Sequence, residues 1–176
     1  ENDNLVVSKD AVAAYVADLA GKYDTAGTER TFSTYDNRDI TVSGGNYGWV
    51  IDQQKESNAL YKDITEKKTE VREPVYEQKA ASRKINDIGY SYIEIDLSAQ
   101  RMVLYQSGSP VVDTGLVADS STPTGIYALG EKESSAVPGG GAGETVNFWM
   151  PFTDKIGIYG KAGLDVTGYD FSDDAD

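Results

Sequence analysis

The chain has 176 residues, 39% of them hydrophobic and 26% charged, with a net charge of −13. That composition belongs to a folded globular chain rather than a disordered one, and its acidity excludes a nucleic-acid backbone as partner. It contains neither cysteine nor histidine, which excludes disulfides, thiolate nucleophiles and imidazole bases and leaves Ser, Lys, Asp, Glu and Tyr for any chemistry. No metal site and no cofactor are expected. No apolar run approaches the ~18 residues of a membrane span. The start at Glu1-Asn2-Asp3 fits an excised ectodomain, with any membrane anchor lying outside the sequence.

Ser8 to Gly21 reads as a helix. Ser8 is the N-cap, Asp10 lies in the first turn, Gly21 is the stop, and Val12, Tyr15, Val16 and Leu19 form one apolar stripe. Arg30–Tyr35 and Arg38–Gly44 read as two strands around an Asp36-Asn37 turn. Asn46–Ile51 is a turn entering a short strand, with Trp49 either a buried aromatic or a sugar-stacking surface. Asp52 caps a second helix from Gln53 to about Tyr61, with Ala59 and Leu60 inward. Glu66–Glu73 reads as a solvated face. Arg72–Gln78 contains Pro74 and is an edge strand or an extended linker.

The character changes near Asn86-Asp87-Ile88-Gly89. Residues 1–90 hold 12 basic and 16 acidic residues, whereas residues 91–176 hold 4 and 13. Ile93, Ile95 and Leu97 alternate with Glu94 and Asp96, which predicts a half-buried strand with the two carboxylates on its solvated face. Met102–Tyr105 and Val111–Val117 follow across short turns, giving a meander. Thr122–Gly125 is turn chemistry. Glu133-Ser-Ser-Ala-Val-Pro and the glycines behind it read as a flexible surface loop, since the glycine run lacks the Lys-Ser/Thr of a phosphate loop. The pair Val146–Phe152 and Ile156–Gly160 is predicted to form adjacent strands. Asp170–Asp176 reads as a frayed acidic end.

Three blocks in order, "YIEIDLSAQRMVLYQSG", "STPTGIYAL" and "VNFWMPF…IGIYG", resemble the first two thirds of a YkuD-type L,D-transpeptidase catalytic domain. The first half, through "GGNYGWVID" and "REPVYEQ", resembles the peptidoglycan-binding-like domain that precedes it in Gram-positive cell-wall enzymes. The resemblance implies an α+β N-terminal domain (1–88) followed by a mainly β, sandwich-like domain (89–176) that is incomplete. It also implies an extracellular wall enzyme that attacks stem peptides through a cysteine thiolate and forms 3→3 cross-links. Two departures stand against this. Tyr159 occupies the place of the family's Gly-Ile-His histidine, and the chain stops at Asp176, about where the Ser/Thr-His-Gly-Cys motif begins.

No catalytic residue is therefore expected in this chain. Trp149, Met150, Phe152, Tyr159 and Gly160 are the expected substrate-binding residues, each with an ordinary alternative as packed strand or turn. Peptidoglycan stem peptides are the expected partner; the oligomeric state is left open. Three functions remain: a transpeptidase represented by a fragment, a non-catalytic wall-binding or structural module, and a surface adhesin or stalk segment.

Overall fold

The structure is a computed structural model and describes residues 6–84, 87–138 and 143–160. The elements run α1 (Lys9–Tyr23), β1 (Arg30–Ser33), β2 (Asp39–Val42), β3 (Val50–Ile51), α2 (Gln53–Thr65), β4 (Tyr76–Gln78), β5 (Tyr92–Asp96), β6 (Arg101–Gln106), β7 (Ser109–Gly115), β8 (Glu133–Ala136), β9 (Val146–Pro151) and β10 (Gly157–Gly160). Both helices lie in the first half. The second half is strand throughout its regular structure, so the α+β-then-β order expected from the sequence holds.

α1 is capped as predicted, with the Ser8 hydroxyl accepting from the Ala11 N–H at 3.2 Å. It runs past Gly21 to Tyr23, because Asp24 provides the stop instead. The Asp24 N–H donates to Ala20, and its carboxylate accepts from the Ile51 N–H at 2.9 Å. Val12, Val16 and Ala20 form the buried stripe, while Tyr15 faces solvent. Val16, Ala20 and Ile51 make a small core with Leu19, Leu60 and Tyr76 around it. Burying a valine such as Val16 fully contributes roughly 1.5–3 kcal/mol. The Asp52 cap accepts from the Lys55 N–H at 2.9 Å. α2 extends to Thr65, and its buried residue is Glu56, bonded to the Val75 N–H and to Arg72.

β1 and β2 pair antiparallel around Asn37, which takes a left-handed φ of 61°. β5, β6 and β7 form the predicted meander. Its buried face differs from the expected one. Glu94, Val103 and Gln100 are buried, whereas Ile93 and Ile95 are only half-buried. The reason is tertiary: the tip of the β1–β2 hairpin packs on the Glu94 face, with the Phe32 ring edge-on to Tyr92 at 5.5 Å and the Tyr35 N–H donating to Glu94 Oε1 at 2.9 Å.

A second sheet has the order β10–β9–β8. The stretch read as a flexible loop supplies β8, whose Glu133 and Ser135 pair with Trp149 and Asn147. Residues 139–142 of the glycine-rich run, Asn86 at the expected boundary and the acidic end lie outside the described residues. β9 is the central strand. Pro151 fits there because it is the strand's last residue, where its missing N–H leaves no gap in the ladder.

One polar network fastens the end of the first half to β1, and two polar ties join the first half to the second. Arg30 donates from Nε and Nη2 to both oxygens of Asp87 (2.7 and 2.9 Å) and from Nη1 and Nη2 to the carbonyls of Thr28, Thr25 and Tyr47. Tyr35 and Arg38 reach Glu94 and Asp96. Gly45 and Ile126 form a parallel bridge flanked by Tyr47 N–H to Ile126 O and Ile126 N–H to Gly44 O, at 3.0 and 3.2 Å. That bridge requires glycine. A Cβ on Gly45, at φ 83°, would stand 1.9 Å from the Ile126 oxygen, and one on Gly125, at φ 142°, 2.7 Å from the Gly45 nitrogen.

Candidate functional site

The glycine bridge positions a groove. On one side Asn46 follows Gly45, and its Oδ1 accepts from the Ala128 N–H at 3.0 Å. On the other stand β8, β9 and the turn after β9. That turn is closed by the N–H groups of Phe152 and Thr153, both donating to Ile156 O at 2.9 and 3.0 Å. The Gly130 N–H donates to the Pro151 carbonyl at 2.7 Å and draws the incoming segment against the end of β9. Between these parts lies an open groove of about 560 Å³. Trp149, Pro151 and Phe152 form its apolar floor, Asn46 its far wall, and Glu133 and Asp154 its polar rim.

Each wall is set by a specific contact. Glu133 is the cross-strand partner of Trp149, which places its carboxylate beside the indole on one face of the sheet. Asp154 sits in the β9–β10 turn, where the Thr153 hydroxyl accepts the Ile156 N–H at 2.9 Å. The Phe152 ring rests 5.2 Å from Tyr127, so the "STPTGIYAL" segment supports the floor from behind.

The five residues expected from the sequence divide in two. Trp149, only 5% exposed, and Phe152 line the groove. Met150, Tyr159 and Gly160 lie beside it. Met150 stands opposite Ile158 in the β9–β10 register and Gly160 opposite Asn147. Tyr159 is 49% exposed, with its ring 6.2 Å from that of Trp149. The sequence reading missed Asn46, Glu133 and Asp154. "GGNYGWVID" was read as a domain signature and Glu133 as loop, and nothing local marks either as groove wall.

A further open cleft, about 440 Å³, lies between Ala81–Lys84 and the Tyr90–Ser91 turn. Next to it, Trp49 is buried under the Arg83 guanidinium, 3.7 Å from the ring centroid, and donates from Nε1 to Ser82 O at 2.6 Å. It is therefore a packed aromatic rather than an open stacking surface.

Two buried carboxylates in these networks titrate in opposite directions. Burial pushes Asp87 upward, but the hydrogen bonds from Arg30 and Thr25, with the Arg30 charge, outweigh it and hold the carboxyl below its usual range. Burial pushes Glu94 upward and prevails, reinforced by Asp36 and Asp96. The Tyr35 N–H and Arg38 only partly oppose it.

Comparison with known proteins gives these features a context. Residues 4–72 match a family model described as "Putative peptidoglycan binding domain". No curated protein matches the sequence. Among solved structures, the chain is similar to the Ldtfm–avibactam carbamoyl enzyme, at 28% identity and a TM-score of 0.66, over 92% of this chain and 67% of that one. It is equally similar to a cysteine-to-serine mutant of Enterococcus faecium L,D-transpeptidase, at 28% identity and 0.66, over 94% and 70%. The chain thus joins a peptidoglycan-binding-type N-terminal part to the architecture of L,D-transpeptidases, and its role is a peptidoglycan-related one. About a third of each neighbour's length has no counterpart in it.

Proposed function

We propose that these residues are the peptidoglycan-engaging part of an L,D-transpeptidase that cross-links stem peptides outside the membrane, in the cell wall of a Gram-positive bacterium. In this reading residues 1–88 form the wall-binding unit and residues 89–176 the start of the catalytic unit. The observation that carries it is the joint likeness: one alignment at 28% identity and a TM-score of 0.66 spans both halves in one order, over more than nine-tenths of the chain. The groove supports it, because its floor is Trp149, Pro151 and Phe152 of the "WMPF" block and its far wall comes from the first half.

The thiolate step has no donor among these 176 residues, which contain no cysteine and no histidine. A tyrosine phenol, with an ordinary pKa near 10, does not replace an imidazole as base near neutral pH. What these residues contribute is binding and positioning of the stem. The chain should therefore co-sediment with purified sacculi and release no D-alanine from a tetrapeptide stem. Failure to co-sediment would remove the wall-binding reading, and D-alanine release above a buffer control would remove the assignment of chemistry. Tyr159 supports a second reading, a degenerate relative that binds without cross-linking. The gene beyond the Asp176 codon separates the two: a Ser/Thr-His-Gly-Cys cassette within a few tens of codons supports the enzyme and a stop codon the binder.

A further inference from the structure

We propose that the β1–β2 hairpin is a proton-operated latch on the β5–β7 meander: its tip is held down while Glu94 carries a proton and is released when Glu94 is ionised. The seam is built on one face of the meander. Tyr92, Glu94 and Asp96 alternate along β5 and stand opposite Tyr105, Val103 and Arg101 of β6, and Asp113 of β7 continues the Glu94–Val103 row. The hairpin covers that face. Phe32 meets Tyr92, which stacks on Tyr105 at 4.7 Å, and the Arg101 guanidinium lies 4.4 Å from the centroid of the Tyr35 ring. Glu94 is enclosed beneath the tip, with Oε1 on the Tyr35 N–H and Oε2 buried without a hydrogen-bond partner among the described residues.

The charges around Glu94 do not answer its ionised form. The hairpin faces it with Asp36 and Arg38, and its own strand with Asp96. Arg38 spans those two carboxylates, at 2.6 and 3.0 Å, so its charge is already shared between two anions. Arg101 of β6 is held by both oxygens of Asp113 of β7, at 2.8 and 2.6 Å. Tyr92 and Tyr105, the phenols beside it, are raised by burial and stay neutral. A proton on Glu94 removes the uncompensated charge from the closed seam, whereas lifting the tip returns the carboxylate to water. Closure therefore strengthens as the group is protonated and weakens as pH rises through its folded pKa. The base of the hairpin stays pinned. Arg30, the first residue of β1, is locked on Asp87; beyond β2, the Gly44 N–H donates to Gly27 O at 3.3 Å and Gly45 bridges to Ile126. The tip thus pivots on a fixed base, and the contact between the halves changes at the meander while the glycine bridge beside the groove holds.

The test is amide hydrogen exchange on the whole chain, followed by NMR from about pH 4 to about pH 7.5 and expressed as protection relative to the intrinsic rate at each pH. The Glu94 side-chain carboxyl is titrated alongside by the chemical shift of its carbon. Protection of the Tyr35 N–H should fall about fivefold, the scale of one unsatisfied buried group, with its midpoint where Glu94 ionises. Exchange at Tyr35 should not accelerate in low urea, because lifting the tip exposes little surface, whereas exchange at Val16 in α1 should. The Tyr47 and Ile126 N–H groups of the glycine bridge should stay better protected than Tyr35 once Glu94 is ionised. Glu94→Gln should hold Tyr35 at the protection of the acid form across the range. Protection at Tyr35 that does not change with pH in the parent chain overturns the inference. So does a pH dependence that survives Glu94→Gln. Urea sensitivity at Tyr35 equal to that at Val16 overturns it as well, since the N–H would then exchange only when the whole chain unfolds. A fall at Tyr47 and Ile126 to the level of Tyr35 overturns the pinned base and the latch with it.

Discussion

Asp87 and Glu94 sit on two seams of the same molecule, one closing the end of the first half onto β1 and the other tying the first half to the second, and are buried to nearly the same degree, at 4% and 8% exposure. Their environments differ in one respect. Asp87 is met by a guanidinium in bidentate geometry and by the Thr25 hydroxyl, so both oxygens are satisfied. Glu94 receives one backbone N–H at Oε1, while Oε2 is buried without a partner. Arg38, the nearby cation, is engaged by Asp36 and Asp96. Burial alone therefore does not set a carboxylate's behaviour. The number of donors aimed at its charged form does, and the two seams make opposite contributions to stability.

The largest effect expected is at the satisfied seam. Arg30→Ala leaves Asp87 buried without its cation and removes donors from three carbonyls. Breaking a buried pair from one side costs about 3–5 kcal/mol, which urea denaturation would read as a large fall in midpoint. A loss under about 1 kcal/mol would mean that Asp87 finds water instead, and the contrast with Glu94 would collapse. Next comes the uncharged tie. Gly45→Ala forces a side chain at φ 83° against the Ile126 backbone, and a strained position of this kind costs about 1–3 kcal/mol. It should also open the groove, since Asn46 is the next residue. Thermal melting together with peptide titration checks both.

Glu94→Gln sharpens the comparison from the other side. The amide keeps an acceptor for the Tyr35 N–H and places donors, in place of an unpaired oxygen, within the field of Asp36 and Asp96. It should stabilise the chain at pH 7 by about 1 kcal/mol, the scale of one unsatisfied buried group. The pH dependence follows from the directions. Glu94 is raised from the usual 4.5, so its contribution is fully present below that value and is lost as pH rises through its folded pKa. Asp87 is lowered from 3.8, so its contribution is present above that value and is lost as pH falls through its folded pKa. Stability should therefore fall on both sides of the acid range. The advantage of Glu94→Gln should fade as the pH approaches 4, where the parent is protonated. An advantage that persists there would place its origin in packing rather than charge.

The sequence made legible whatever local chemistry decides. The Ser8 and Asp52 caps, the Asp36-Asn37 turn, the three-stranded meander and the β9–β10 pair all follow from capping, turn residues and periodicity. It misled where the deciding partner is distant in the chain. Glu94 reads as a solvated residue because Ile93 and Ile95 alternate with it, yet a hairpin about sixty residues earlier covers its face. Glu133–Ala136 reads as loop because it has no apolar alternation, yet β9 holds it as a strand. Gly21 reads as a stop, yet Asp24 ends the helix through its bond to Ile51. Half of the groove was visible for the same reason: Trp149 and Phe152 announce themselves as aromatics, whereas Asn46, Glu133 and Asp154 gain meaning only from what folds next to them.

The smallest effect concerns Tyr159, where the family resemblance suggests a functional position and the local geometry offers little support from packing. The residue is 49% exposed on the edge strand β10, its ring 6.2 Å from Trp149, and no hydrogen bond from its hydroxyl is made within the described residues. A phenol so placed adds little to folding, so Tyr159→Phe should change stability by no more than about 0.5 kcal/mol, the usual range for exposed positions. Its hydroxyl is nonetheless free to donate to a peptide carbonyl. If the stem lies along β9 and β10 beyond the groove, losing that bond should weaken peptide affinity by about 1 kcal/mol, near fivefold. Unchanged affinity would confine the binding surface to the groove between Asn46 and Phe152.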